Sequence, residues 1–215
     1  MIIACLDWRN YRKLGQEYVT NLYRACSKHI TVPFEFVCFS DREGYGDSII
    51  SVRTSTECWG WWQKIYVLGG SQLPKGERCL LFDLDTLILA NIDDLASYDG
   101  PFAGLGCPRA NRLFCSGIMA WEAGSVDHVW SDWLKAGKPI LGSGDDEWID
   151  RACPDAVRLQ RKFPGIHSYK FHKLREAARP DTRIIFFQRE PKPDNCGGWA
   201  QACWSGLNLP SFTAL

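Results

Sequence analysis

The sequence predicts a single α/β domain in which helices flank a mostly parallel central sheet. Three observations support this prediction. The chain has 215 residues, which is enough for one sizeable hydrophobic core. Its first apolar run, residues 2–6, is continuously apolar, as is typical of a central parallel strand. Strand-like and helix-like segments then follow in the order β, α, β, β, α, β, which favours parallel strands with helices packed over them.

The first half of the chain supplies the elements of that order. Residues 2–6 end in a polar segment that begins at Asp7, and ligands bind at such strand ends in open α/β sheets. Apolar residues at helical spacing predict an amphipathic helix over residues 11–28. Further strands are expected at residues 34–39 and 49–52, followed by a helix over 61–68 and a strand over 79–89.

The second half continues with alternating elements. A helix-start pattern lies at residues 91–95, an apolar segment follows at 102–106, and strands are predicted at 114–121 and 184–187. A helix is predicted over residues 126–134, and a second begins after Gly142, with Ser143 placed to cap it. We expect residues 1–195 to form the domain and residues 196–215 to form a C-terminal tail that packs on it.

Composition excludes several classes of partner. Lys plus Arg and Asp plus Glu both number 25, so no basic field marks a nucleic-acid or anionic-membrane partner. The N-terminal apolar run is too short for a signal peptide or a membrane span, which predicts a cytoplasmic protein. The ten cysteines contain no Cys-x-x-Cys pair, and we interpret them as reduced core residues.

The ten tryptophans are unusual for this length, and Trp59, Trp61 and Trp62 come almost together. Broad aromatic rings suit the faces of sugars and nucleobases. Most of these rings are nevertheless expected to be core or rim packing residues.

The segment 79–89 places two carboxylates, Asp83 and Asp85, inside an apolar run. In an extended segment these residues point to the same side, so two like charges share one small volume. A divalent cation such as Mg²⁺, Mn²⁺ or Ca²⁺ would neutralise both, because such cations prefer carboxylate oxygens. The alternative is a strand that ends at Phe82 and turns through solvated aspartates.

Several other segments have both a functional and a structural interpretation. Ser116-Gly117 interrupts a strand and marks either a ligand's close approach or a plain bulge. Lys64 is either a functional cation or a solvated residue on a helix face. Lys192 lies between two prolines, which would hold it on a stiff loop. Such a loop either binds a phosphate or simply forms a turn. The helix start at Asp145 and Asp146 is acidic, as the helix dipole favours, and forms a second acidic cluster.

In this order, several segments resemble glycosyltransferases of the GT-A type, particularly bacterial proteins related to glycosyltransferase family 8. The matching segments cover most of the chain up to Asp194, and their order and spacing make the match specific. They are Phe36-Val-Cys-Phe-Ser-Asp41, Trp61-Trp-Gln-Lys64, Leu81-Phe-Asp-Leu-Asp-Thr86, Ser116-Gly117-Ile-Met, Gly144-Asp-Asp-Glu147 and Pro191-Lys-Pro193.

The resemblance implies a GT-A, Rossmann-like domain that moves a hexose from a nucleotide diphosphate sugar, with uridine diphosphate as leaving group. It implies a divalent metal, Mn²⁺ or Mg²⁺, held by the Asp-x-Asp pair, and an acceptor that is a glycan, lipid or small molecule. Donor-binding roles fall on the first-strand loop, on Lys64 and Lys192 and on the interrupted strand, and catalytic roles fall on the acidic helix start. The residues implicated are Asp83 and Asp85 for metal; Asp7, Trp8, Tyr11, Lys64, Ser116, Gly117 and Lys192 for the donor; and Asp145 and Asp146 for catalysis.

Three positions depart from the family pattern. Gln188 stands where the family has a metal-binding histidine, and its carbonyl oxygen is a weaker ligand than imidazole. Cys115 stands where asparagine is common. Asp146 replaces a typical glutamine, so although the resemblance favours retention of anomeric configuration, a carboxylate there could act as nucleophile or base.

Two other functions remain open at this point. The Asp-x-Asp segment also resembles haloacid dehalogenase phosphatases, but Thr86 is one residue too close to Asp85 for their motif, and that motif normally lies on the first strand. A transferase-like protein that binds nucleotide or sugar without turnover would explain the missing histidine.

Overall fold

The computed structural model describes residues 1–9, 11–71, 73–107 and 114–206. The strands are β1 (Ile2–Asp7), β2 (Glu35–Ser40), β3 (Ile50–Arg53), β4 (Arg78–Phe82), β5 (Leu87–Ile88), β6 (Ala103–Leu105), β7 (Cys115–Glu122), β8 (Val157–Arg158), β9 (Ile166–Ser168) and β10 (Ile184–Phe186). The helices are α1 (Gly15–His29), α2 (Gln63–Gly69), α3 (Asp93–Ala96), α4 (His128–Lys135), α5 (Asp145–Ala152), α6 (Leu159–Lys162) and α7 (Gly198–Trp204), with 3₁₀ turns at Tyr11–Lys13 and Gly60–Trp62.

The central sheet has seven strands in the order β3-β2-β1-β4-β7-β6-β8. The strands β3, β2, β1 and β4 are mutually parallel, and β7 runs antiparallel to both β4 and β6. A small second sheet has the order β5-β10-β9. The prediction of an α/β domain with a mostly parallel central sheet is confirmed.

Alternate residues of the central strands enter two hydrophobic clusters on opposite faces of the sheet. Ile3 and Leu80 belong to the cluster that also contains apolar residues of α1, whereas Ala4 and Leu81 belong to the cluster formed with α2 and α4. The two-residue period of a strand therefore explains why β1 and β4 are continuously apolar. The small sheet packs within the α1-side cluster through residues such as Ile185.

Three local predictions are wrong. The strand expected over residues 79–89 ends at Phe82, and a turn at residues 84–85 leads into β5 of the second sheet. The first helix begins at Gly15, after a separate 3₁₀ turn, and not at residue 11. Ser143 does not cap α5, because Gly144 occupies the N-cap with φ 70°.

The C-terminal segment contributes a helix to the part of the chain that the structure describes. In α7 the ring of Trp204 lies 4.9 Å from that of Tyr18 in α1, measured between ring centroids. Residues 207–215 of the expected tail lie outside the described part, so the division at residue 195 stays a prediction. Within the described ranges, no helix has the length and apolar character needed to cross a membrane.

Candidate active site

The expected site residues gather around the carboxyl ends of β1 and β4. Because these neighbouring strands are parallel, their final residues meet at one edge of the sheet. Asp7 ends β1 and Asp83 directly follows β4. The backbone N–H of Asp83 donates to the carbonyl oxygen of Gly117 in β7 at 2.8 Å, which ties the acidic turn to the interrupted strand. The turn itself is closed by the Thr86 N–H donating to the Asp83 carbonyl at 3.1 Å.

Lys64 lies almost fully enclosed beneath this edge and is not a solvated residue. Its Nζ is 2.6 Å from Oδ1 of Asp83 and donates to Oγ of Ser116 at 3.0 Å. A second carboxylate, that of Asp145, lies 3.9 Å from the same nitrogen. Burial by itself lowers the pKa of Lys64, but these two carboxylates outweigh it and hold the pKa above its ordinary value. Lys64 is therefore a permanent cation that links α2 to three other elements.

The acidic start of α5 faces this lysine through Ser116. The hydroxyl of Ser116 donates to Oδ2 of Asp145 at 2.6 Å, and its backbone N–H donates to Oδ1 of Asp146 at 2.8 Å. Burial raises the pKa of Asp145 to about 7, the charge of Lys64 opposes that rise, and the neighbouring Asp146 adds to it. Asp145 is therefore placed to exchange a proton near neutral pH.

Asp85 lies on the other side of the acidic turn and is only 4% exposed. One of its carboxylate oxygens, Oδ2, forms an ion pair with Nζ of Lys192 and accepts a longer hydrogen bond, at 3.4 Å, from the hydroxyl of Tyr11. Burial raises the pKa of Tyr11, and the nearby charge of Asp85 raises it further, so this phenol keeps its proton. The two aspartates therefore face two different lysines.

The loop that carries Lys192 is anchored to the loop after β1 by contacts that the sequence did not suggest. Arg12 forms ion pairs with Glu190 and with Asp194, the latter at 3.3 Å between Nε and Oδ1. The hydroxyl of Tyr18 donates to Asp194 at 2.6 Å. Because these partners are far apart in sequence, no local pattern could have revealed them.

Asp7 is fully buried and acts as a structural acceptor in this arrangement. Its Oδ1 accepts the backbone N–H of Tyr11 at 2.8 Å, and its Oδ2 accepts the hydroxyl of Tyr45 at 2.7 Å. Tyr45 in turn hydrogen-bonds the hydroxyl of Ser40 at 2.6 Å. Asp7 therefore holds Tyr11 at the site. Tyr45, which fixes the Asp7 carboxylate, was not identified from the sequence.

Two further features lie near the end of β1. Trp8 is half-buried, and the guanidinium of Arg9 lies over its ring at 4.5 Å. An open depression of about 620 Å³ borders Asp7 and Tyr45 but includes neither Asp83 nor Asp85. Its other lining residues come mainly from the outer side of α1, so it is separate from the acidic turn.

Gln188 lies among sulfur and hydroxyl groups. Its Nε2 is 4.0 Å from the Sγ atoms of Cys107 and Cys115, and its Oε1 accepts a hydrogen bond from the hydroxyl of Ser168 at 3.3 Å. Burial raises the pKa of the Cys115 thiol, so that thiol stays protonated. Cys115 in turn lies near Gly117, where an added Cβ would be 3.8 Å from its Sγ and 3.3 Å from Oδ2 of Asp83.

The donor set suits a hard divalent cation in its chemistry. Asp83 and Asp85 supply carboxylate oxygens, which Mg²⁺ and Mn²⁺ prefer, and Gln188 could add a carboxamide oxygen as a weaker, neutral ligand. In this structure Asp83 pairs with Lys64 and Asp85 pairs with Lys192. Among the described residues no three His, Cys, Asp or Glu side chains are grouped to hold a metal ion. A metal at this turn would therefore rely on the two aspartates and on neutral ligands.

Solved structures with the same architecture are glycosyltransferases of the GT-A type. The galactosyltransferase LgtC, in complex with donor and acceptor sugar analogues, superposes with a TM-score of 0.68 at 12% identity, over 98% of both chains. GlyE from Streptococcus pneumoniae gives a TM-score of 0.70 at 12% identity, over 97% of this chain and 61% of its own. The bifunctional glycosyltransferase WbbM gives 0.65 at 12% identity, over 90% of this chain and 46% of its own.

No protein-family model matches the sequence, and no curated protein matches it significantly. At 12% identity the structural likeness shows the fold. The chain therefore has the GT-A fold, as the resemblance predicted.

Proposed function

We propose that the protein is a metal-dependent glycosyltransferase that moves a hexose from a nucleotide diphosphate sugar, with uridine diphosphate as leaving group, to an acceptor. The observation that carries the proposal is the acidic turn after β4. Asp83 and Asp85 lie there at the carboxyl edge of a GT-A sheet, with Lys64 and Lys192 beside them. This edge is where open α/β sheets bind ligands.

The metal site would consist of Asp83, Asp85 and Gln188. When bound, Mn²⁺ or Mg²⁺ would neutralise charge that develops on the diphosphate. Lys192, on its anchored loop, would bind the diphosphate as a second cation. Asp7, Trp8 and Tyr11 would hold the nucleotide, with Asp7 acting through the backbone of Tyr11.

The donor sugar would lie against Ser116 and Gly117. A side chain at Gly117 would crowd the acidic turn, because a Cβ there would come within 3.3 Å of Asp83 Oδ2. Asp145 and Asp146 both bind Ser116, so they would orient it and lie beside the reacting carbon. We propose retention of anomeric configuration, with Asp146 as the carboxylate able to act on the sugar. Lys64, which pairs with Asp83 and lies near Asp145, would also contribute to donor binding.

The test is to incubate the protein with Mn²⁺ and a panel of nucleotide sugars and to measure released nucleoside diphosphate. Transfer or slow donor hydrolysis should disappear in Asp83→Ala and Asp85→Ala. Asp99→Ala, which changes an exposed aspartate outside the site, is the matched control and should keep full activity. Release of inorganic phosphate from phosphomonoesters, with no nucleotide released, would overturn the proposal in favour of a phosphatase. The anomeric configuration of the product, read by NMR, tests retention.

A second candidate is a protein that binds nucleotide sugars without turnover. The observation that favours it is that both aspartates pair with lysines while Gln188 contacts thiols and a hydroxyl. Tight binding of nucleoside diphosphate with no turnover on a broad acceptor panel would support this candidate over the enzyme.

A further inference from the structure

The three clustered tryptophans have different surroundings. Trp62 is buried and stacks on Trp133 with ring centroids 5.7 Å apart, so it is a core residue. Trp59 and Trp61 are 55% and 62% exposed. A large exposed aromatic side chain is informative, because its burial would be favourable and the fold does not provide it.

Trp61 lies at the rim of the candidate active site. A Cβ on Gly144 would be 2.7 Å from Nε1 of Trp61, so the indole lies directly against the backbone of this residue. Gly144 is the N-cap of α5 and precedes Asp145. Along the chain, Trp61 lies three residues before Lys64, whose ammonium group pairs with Asp83. The exposed ring is thus continuous with the acidic side of the site.

The groups around this ring select the chemistry of a ligand. The first turn of α5 is acidic throughout, with Asp145, Asp146 and Glu147. The cations beside this turn are already paired, Lys64 with Asp83 and Arg151 with Glu147. A phosphate or another anion would have to compete with these carboxylates for them. A purely apolar partner would bury carboxylates at a large cost.

A neutral sugar ring satisfies both features. One face of a pyranose presents C–H groups that pack on an aromatic face, and its hydroxyls are donors for carboxylates. The geometry points to Trp61 as the stacking platform of an acceptor subsite, which binds a neutral sugar ring of the acceptor beside Asp145 and Asp146. That the bound sugar is an acceptor rests on the proposed glycosyl transfer. The binding of a sugar ring at Trp61 can be tested without turnover.

The binding test uses protein labelled with 5-fluorotryptophan and ¹⁹F NMR, in which the Trp61 signal is assigned by its absence in Trp61→Phe. Glucose, galactose, N-acetylglucosamine and lactose are titrated, each with and without uridine diphosphate and Mn²⁺. The expected result is a saturable shift of the Trp61 signal with at least one sugar, while the signal of Trp59 moves less. No shift of Trp61 with any sugar under either condition would overturn the inference.

The kinetic test separates the acceptor from the donor. Trp61→Ala should raise the KM for a sugar acceptor about tenfold or more, whereas Trp61→Phe should recover most of the affinity because it keeps a ring. Trp59→Ala is the matched control, an exposed indole two residues away, and should change KM less than twofold. An equal loss in Trp61→Ala of acceptor-free donor hydrolysis and of transfer would overturn the inference. If the wild-type protein turns over no donor, the proposed function fails and the NMR titration still decides this inference.

Discussion

The ammonium group of Lys64 lies 2.6 Å from Oδ1 of Asp83 and 3.9 Å from Oδ2 of Asp145, so one buried cation serves two carboxylates from different elements. Removing it would leave two carboxyl groups without their shared partner. We expect Lys64→Met to lower the free energy of unfolding by about 3–5 kcal/mol, as measured by chemical denaturation. Lys75→Met is the matched control, because Lys75 is 82% exposed and pairs with Asp127 at 3.3 Å. It should change stability by less than about 0.5 kcal/mol. Equal effects of the two substitutions would contradict the structural role of Lys64.

Asp145 should make stability depend on pH. Its folded-state pKa is raised to about 7, mainly by burial, whereas the unfolded value is about 4. Between these values the folded protein binds the proton and the unfolded chain does not, so this contribution is fully present below pH 4 and is lost as pH rises through 7. Asp145→Asn cannot titrate. Its stability relative to wild type should therefore rise between pH 4.5 and 8, as followed by thermal unfolding. A constant difference across that range would show that Asp145 is ionised throughout.

Much of the fold could be predicted because it follows from local patterns. The continuous apolar runs of β1 and β4 arise from burial on both faces, and the spacing in α1 and α4 reflects one apolar stripe. The end of β4 at Phe82 was expected only as the alternative, because Leu84 and Leu87 continue the apolar pattern while they pack in the α1-side cluster after a turn. Hydrophobic periodicity reports burial, and it does not report which sheet buries the residue.

The candidate site was predictable where charge stood in an apolar context, as at Asp83 and Asp85. It was not predictable where the role depends on contacts between distant elements. From the sequence alone, Lys64 could be either a solvated residue or a functional cation. Its packing among α2, β7 and α5 shows that it is enclosed. Tyr45 and Arg12 carried no local signal, because their partners Asp7 and Asp194 lie 38 and 182 residues away.

Lys192 and a divalent metal should compete for Asp85. Lys192 forms an ion pair with this carboxylate, which is only 4% exposed. A cation at the aspartates would repel the lysine. We therefore expect Mn²⁺ to raise the melting temperature of Lys192→Met by a few °C more than that of wild type. An identical increase in both proteins would mean that the metal, if bound, does not reach Asp85. Arg24→Met, which removes an exposed cation on α1, controls for the change in net charge.

Gln188→His should strengthen metal binding if residue 188 belongs to the metal site. Imidazole is a better ligand for Mn²⁺ than a carboxamide oxygen, so the affinity should rise on the order of tenfold or more. Electron paramagnetic resonance of free Mn²⁺ measures this without any enzymatic activity. Gln16→His on the exposed face of α1 is the control for an adventitious histidine. Equal affinities of the two variants would place residue 188 outside the metal site and leave the two aspartates as its protein ligands.

Gly15 is required by the close approach of α1 to the end of β1. A Cβ at this position would lie 2.2 Å from Oδ1 of Asp7, whose carboxylate is fixed by the Tyr11 N–H and the Tyr45 hydroxyl. Gly15→Ala must therefore displace a fully buried, hydrogen-bonded group. We expect a loss of about 1–3 kcal/mol in the free energy of unfolding. Gly142→Ala is the matched control, because nothing lies within 4 Å of its added Cβ. If Gly15→Ala were as stable as Gly142→Ala, the carboxylate of Asp7 would have to be free to move, and its assignment as the fixed support of Tyr11 would be wrong.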